Sequence, residues 1–311
     1  MTGILPVKKP QKFTSFDVIG KLRGVTKTRK IGHSGTLDPM ATGVLPLFFG
    51  GATKCCDILP NEDKRYVADL KFGIVTDTQD VFGKVLEEKE SSVSKEEFEH
   101  VMLGFVGKQL QTPPMYSAVK VNGRPLYDLA REGKVVERAQ KEIEVYDIKL
   151  LEFDEHAQTA KIEVSCGKGT FIRTLINDMG EKLGCGASMS ALERTMAAGF
   201  DISECYTISE IEEMMQNGTF EERLIPIERL YEDLPKLVLS DFDKRLYRSG
   251  VPLDLQKRGW GGILGNIAVF DESGMLLGIS YMDEEANELK LRKMLNTDKN
   301  IHSSGFEQEP V

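Results

Sequence analysis

The sequence predicts an α+β protein with a mixed, mainly antiparallel sheet and flanking helices, followed by a small β-rich unit towards the C-terminus. Two observations carry this reading. Strand-like alternation and helical spacing are interspersed over residues 1–233 without the regular strand–helix–strand repeats of a doubly wound fold. Beyond Leu234-Pro235 the texture changes to short apolar runs split by turns, which marks a second unit over residues 234–295. At 311 residues the chain is long enough for both units to bury a core.

In chain order, residues 4–7 read as a short apolar strand, and a Thr/Ser cap signal opens a helix over residues 14–21. Residues 44–49 form an apolar run. Residues 65–73 alternate, which puts Tyr66, Ala68, Leu70 and Phe72 on one face of a strand. The capping box Ser94-x-x-Glu97 starts a helix with Phe98, Val101, Met102 and Phe105 at helical spacing. Residues 141–153 and 159–166 alternate as strands. Residues 170–183 are helical, with Phe171, Ile172, Leu175, Ile176, Met179 and Leu183 apolar, and the glycines after Leu183 stop the helix. Residues 207–216 read as an acidic surface helix. In the second unit, runs at 267–270 and 275–281 flank a turn at 271–274, and residues 296–311 read as a polar, frayed tail.

The five cysteines are odd in number and lack CxxC spacing, so they read as reduced and mostly buried thiols. The four histidines are scattered, with no HExxH or His/carboxylate cluster, and no metal is expected. No run approaches the length of a membrane span and no signal-peptide pattern is present, so a cytoplasmic location is expected. The net charge of −9 argues against indiscriminate nucleic-acid binding, yet the charge is segregated. The first thirty residues hold eight Lys and Arg against Asp17 alone, whereas residues 201–233 hold ten carboxylates against Arg223 and Arg229. The basic block is either a solvated face or the footprint of a polyanion.

That block directly precedes GHSGTLDPMATG at residues 32–43, a glycine-punctuated loop that contains Asp38. Pro39 biases Asp38 towards an extended conformation. The loop is either an ordinary turn whose Asp serves its own backbone or a site that presents the carboxylate. A serine-nucleophile elbow is excluded because the second glycine after Ser34 comes one residue early. Gly167-Lys168-Gly169-Thr170 is not a Walker loop, since Ile162 and Gly169 stand where Gly and Ser/Thr are required.

GHSGTLDPMATGVL, Lys64-Arg65-Tyr66, TPPMYSAVKVNGRPLYDLAREG at 112–133 and GTFIRTL at 169–175 together resemble bacterial tRNA pseudouridine-55 synthases of the TruB type, in order and with matching spacing over roughly residues 4–195. The resemblance implies a pseudouridine synthase catalytic domain over 1–233, with an RNA-closing thumb at 113–133 and a PUA-like RNA-binding domain at 234–295. It implies isomerisation of a uridine in the tRNA T-loop without metal or organic cofactor. Asp38 matches the nucleophile, Arg173 its partner and Tyr66 the aromatic that stacks on the extruded uracil. His33 matches a residue that takes the vacated place in the RNA, Leu192 and Phe171 match walls of the uracil pocket, and Lys9 a basic residue near the site. Phe171 departs from the family's usual Tyr, so any hydroxyl contact there is lost. The expected partner is tRNA, through its T-loop and stem, with the chain acting as a monomer and away from membranes. The rival expectation is a non-catalytic tRNA-binding or tRNA-folding protein that uses the same cleft.

Overall fold

The computed structural model describes residues 1–296, so the tail expected over 296–311 lies, beyond Asn296, outside the described residues. The chain begins with β1 (Gly3–Lys9), α1 (Ser15–Thr26), β2 (Ile31–His33), β3 (Thr42–Phe49) and β4 (Lys64–Phe72). A hairpin of β5 (Ile74–Thr76) and β6 (Val85–Glu88) leads to α2 (Lys95–Leu103) and β7 (Gly107–Gln111). A second, smaller hairpin of β8 (Lys120–Val121) and β9 (Arg124–Pro125) carries α3 (Leu126–Arg131). The strands β10 (Lys141–Asp154) and β11 (Thr159–Cys166), the helix α4 (Ile172–Leu183), the strands β12 (Ala187–Ala197) and β13 (Phe200–Asp201), and the helix α5 (Ile208–Asn217) follow.

One nine-stranded sheet runs β1-β3-β12-β4-β11-β10-β7, with β2 added to β3 and β13 to β12. Every pairing in it is antiparallel except the short β3–β12 contact, where Arg194 faces Gly43. The mixed, mainly antiparallel sheet predicted from the sequence is therefore the one observed. Its core follows from the alternation: Tyr66, Ala68, Leu70 and Phe72 of β4 and Ala160, Ile162, Val164 and Cys166 of β11 are buried. They pack with Leu175, Ile176 and Met179 of α4 and Phe98 and Met102 of α2 in one apolar cluster. Burial of each such large side chain stabilises the fold by roughly 1.5–3 kcal/mol.

Two helix boundaries differ from the sequence pattern. The helix α1 continues to Thr26 despite Gly20 and Gly24, because Val18, Ile19 and Leu22 extend one buried stripe; it ends where Lys27 turns left-handed at φ 55°. The helix α4 begins at Ile172 rather than 170. Phe171 is held extended because the Gln111 side chain accepts from its N–H at 2.9 Å and donates to its carbonyl at 3.1 Å.

The C-terminal unit comprises β14 (Lys236–Leu239), α6 (Asp241–Arg248), β15 (Leu253–Asp254), α7 (Leu255–Arg258), β16 (Asn266–Asp271), β17 (Leu276–Asp283) and β18 (Glu288–Met294). Its five strands form a separate sheet in the order β14-β16-β17-β18-β15. One apolar face packs on Leu239, Tyr247 and Leu253. Ala268, Leu276, Ile279 and Leu295 instead join Ile4 and Phe48 of the first sheet, and Ala52 just after β3, in a shared cluster, beside a 2.6 Å ion pair from Lys293 to Asp57. The second unit thus rests on the first through this cluster, of which Ala197 and Ala198 also line the cleft that contains Asp38.

Candidate active site

The loop between β2 and β3 is held from beneath by buried donors. Lys9 is fully buried, and its ammonium donates to the carbonyls of Phe13 at 2.6 Å, Pro10 at 3.0 Å and Pro39 at 3.4 Å. Burial, only partly opposed by Asp38, brings Lys9 down to about 8. Lys9, matched in the sequence to a basic residue near the site, has no exposed surface and gives its ammonium to three carbonyls, which is the arrangement of a side chain that supports the loop. Ser15, at the start of α1, adds a second tie, since its hydroxyl accepts from the Leu37 N–H at 2.9 Å.

Arg194 of β12 provides the third tie and was invisible to sequence reasoning. It is fully buried, donating through Nε to the Val44 carbonyl at 2.7 Å and through Nη2 to the Gly35 carbonyl at 3.1 Å, so it grips both ends of the loop. Gly43 makes room for it. With φ +101°, a Cβ at Gly43 would fall 2.2 Å from the Arg194 carbonyl oxygen. The only sequence signal was the alternation Leu192-x-Arg194, and an Arg in a strand ordinarily reads as solvent-facing.

Asp38 is the residue this scaffold presents. Its main-chain carbonyl accepts from the Ala41 N–H at 3.1 Å, so the turn foreseen at Leu37-Asp38-Pro39 exists, but the carboxylate takes no part in it. Arg173, in the first turn of α4, donates instead from Nε to Oδ2 at 2.9 Å and from Nη2 to Oδ1 at 3.2 Å, a side-on fork. The Arg173 side chain is 5% exposed and the Asp38 side chain 36%, so the pair has a dry back and an open front. The remaining guanidinium hydrogens go to the carbonyls of Thr78 and Tyr116, each at 2.8 Å, with Asp80 3.9 Å away. Burial pushes the Asp38 carboxyl above its ordinary value; the Arg173 guanidinium works against this and the Asp80 charge adds to it.

The open front faces a cleft of about 430 Å³ lined by Asp38, Tyr66, Arg173, Phe171, Leu192 and Ser117 among others. Tyr66 lies on β4 opposite Arg194, 6% exposed, and burial raises its hydroxyl so that it stays a neutral phenol. Leu192, two residues before Arg194 on the same face of β12, is 8% exposed and forms an apolar wall. Residues 117–119, just before the small hairpin, line another part of the cleft. His33 lies outside this lining, at the end of β2. Its Nδ1 is buried without a partner among the described residues, and burial, with Arg194 nearby, lowers its basicity. The fold thus gathers Asp38, Tyr66, Phe171, Arg173 and Leu192 around one cavity, with His33 beside it and Lys9 behind it.

A family profile described as TruB family pseudouridylate synthase (N terminal domain) matches residues 23–172, and one described as tRNA pseudouridylate synthase B C-terminal domain matches residues 173–232. The chain belongs to the TruB family of pseudouridylate synthases. The boundary between the two matches falls at the first turn of α4, so Asp38 and Arg173 lie in different matched segments while the sheet runs through both. The tRNA pseudouridine synthase B of Bacillus subtilis is 43% identical over 287 residues, covering 90% of this chain and 93% of the relative. That of Stutzerimonas stutzeri is 39% identical over 92% of this chain and 93% of its own length. Among solved structures, a chain of a Cbf5-Nop10-Gar1 complex matches with a TM-score of 0.72 at 25% identity, covering 94% of this chain and 85% of its own. A chain of an H/ACA RNP bound to a substrate RNA containing 2'-deoxyuridine shares the fold at a TM-score of 0.70 and 22% identity, over 96% of this chain and 86% of its own.

Proposed function

We propose that this enzyme converts uridine to pseudouridine at position 55 in the T-loop of tRNA, by flipping the base into the cleft and using Asp38 as the nucleophile. The observation that carries the reading is a carboxylate held side-on by a buried guanidinium at the floor of a cavity walled by an aromatic ring and a leucine. The names of the relatives support tRNA as the substrate.

The reaction breaks the bond from ribose C1′ to uracil N1, turns the base while it stays bound, and joins C1′ to C5; the C5 proton then moves to N1. Asp38 starts it either by attack on C1′ or by removing a ribose proton, and both routes require the carboxylate charged and fixed. Arg173 does both, because its fork selects the ionised form and one orientation. Tyr66 stacks on the uracil, and Leu192 with Phe171 confines the base as it turns. Phe171 brings an apolar ring to this wall and no hydroxyl. His33 enters the gap left by the flipped base, offsetting unstacking that costs a few kcal/mol. Its lowered basicity suits a neutral ring against bases.

Segment 113–133 closes over the RNA, and the C-terminal unit, 234–295, adds PUA-like contacts to the tRNA. The test is pseudouridine mapping of an unmodified T-loop stem-loop RNA with the wild-type protein and with Asp38→Asn, with no added metal or nucleotide. Conversion of the single T-loop uridine by the wild type alone is expected. Binding of the RNA without conversion by the wild type would move the reading to a non-catalytic tRNA-binding protein.

A further inference from the structure

Phe16 stands on the first turn of α1 with 68% of its surface exposed, and its ring lies perpendicular to that of His33, at 89° with centroids 6.1 Å apart. An exposed Phe alone is unremarkable on a protein surface. This one is different because of what surrounds it. Ring pairs such as Phe49–Phe220 and Phe72–Phe98 are buried in apolar cores, whereas Phe16–His33 sits at the surface beside the cleft.

The helix start that carries the ring is also tied to the Asp38 loop. Ser15, its neighbour in the chain, holds Leu37 by the 2.9 Å bond described above, and the Lys12 N–H donates to the Pro39 carbonyl at 2.8 Å. The capping box of Thr14 and Asp17 freezes the helix start on which Phe16 sits. It also occupies the Asp17 carboxylate, which accepts from the Thr14 N–H at 2.8 Å and the Thr14 hydroxyl at 2.7 Å. Lys12, Arg23 and Lys27 of the same segment make no ion pair among the described residues. An exposed aromatic ring on a capped helix start, in a segment that also carries cations without ion-pair partners, has the makings of a single-stranded nucleic-acid contact.

We propose that Phe16 is an RNA-contacting residue which forms, with His33, a two-ring corner that seats a nucleobase next to the flipped uridine. A base stacked on one ring of the corner meets the other edge-on, a favoured aromatic geometry on both sides. Phe16 also keeps the His33 ring from swinging away when RNA is absent, so the ring that fills the gap is already in place. The inference rests on the proposed function, since it takes the RNA to be the T-loop and His33 to stack within it.

The experiment compares Phe16→Leu and Phe16→Trp, using the T-loop stem-loop RNA. Steady-state turnover is measured in the wild-type background and equilibrium binding in the Asp38→Asn background. Phe16→Leu is expected to raise KM roughly tenfold, more than it lowers kcat, and to weaken binding by a similar factor, as loss of one base–aromatic stack does. Phe16→Trp is expected to restore both. Melting temperature should not change in either variant, because the ring is exposed. The Phe16→Leu/His33→Ala pair should lose less than the product of the two single losses, as expected for rings that act as one unit. A Phe16→Leu enzyme within about twofold of wild type in KM and binding, or a Trp variant as weak as Leu, overturns the proposal. A strictly multiplicative double variant overturns the shared corner. Should the wild type convert no T-loop uridine, the proposed function fails, and the binding arm alone still reads whether Phe16 touches RNA.

Discussion

The Asp38 loop and the segment 113–133 border the same cleft and are built in opposite ways. The loop is short of regular structure yet pinned by Lys9, Ser15, Arg173 and Arg194, each of them buried. The thumb segment has two two-residue strands, one short helix and a small apolar cluster of its own around Met115, Leu126 and Leu129. Its ties to the rest include the Tyr116 carbonyl on Arg173, a 3.4 Å bond from the Tyr116 hydroxyl to Asp77, and Arg138 on the Pro113 carbonyl at 3.0 Å. Regular secondary structure is therefore a poor guide to rigidity here. Buried polar ties fix a loop, and a hairpin with few of them is expected to open locally.

Replacing Arg173 by Gln tests the pinned side hardest. Turnover on T-loop RNA should fall about a thousandfold, since Gln keeps a shorter, neutral amide in place of the charged fork that holds Asp38. The pH profile gives the sign. In the wild type, burial raises the Asp38 carboxyl, so if Asp38 acts as proposed kcat/KM should begin to fall, as pH drops, while still above the usual aspartate range. Without Arg173 the opposing influence is gone and that acidic limb should move to higher pH; a limb that stays put would show that another group controls it.

Arg194→Met should cost stability rather than chemistry alone, about 2–4 kcal/mol by urea denaturation, because two buried carbonyls lose a charged donor. Leu126→Ala empties a fully buried site in segment 113–133, yet global unfolding should shift by less than about 1 kcal/mol if, as proposed, the segment opens by itself. Its KM for RNA should rise several-fold, and deuterium uptake at 113–133 should increase. The same truncation at Ile162, in the main sheet, should cost about 2–5 kcal/mol. Smallest of all, Gly123→Ala places a side chain at φ +81° with open space around it. The strain of about 1–2 kcal/mol stays inside the hairpin and should appear as faster local exchange with an unchanged melting temperature.

Much of this architecture was legible in the residues themselves. The strands β4, β10 and β11 and the capping box at Ser94 correspond to observed features, because each rests on a local pattern. Three-residue β2 and the two-residue strands β8 and β9 leave no period to read. The site divides in the same way. Asp38 drew attention through its glycines and Pro39, but Arg173 and Tyr66 looked like an ordinary helix arginine and strand tyrosine without the family resemblance. What joins them is the order of β12 between β3 and β4, a long-range pairing that no local pattern encodes. Arg194 was missed for a related reason, since its burial depends on Gly43, far away in the sequence, leaving room for it.

Arg173 distributes one guanidinium among the Asp38 carboxylate, the Thr78 carbonyl and the Tyr116 carbonyl. Any thumb movement that alters the Tyr116 contact alters the electrostatic surroundings of Asp38. By reciprocity, protonation of Asp38 biases the thumb by an equal free energy. On the proposed function, substrate engagement and ionisation of Asp38 become two ends of one thermodynamic cycle, and RNA affinity is expected to depend on pH even where no RNA group titrates.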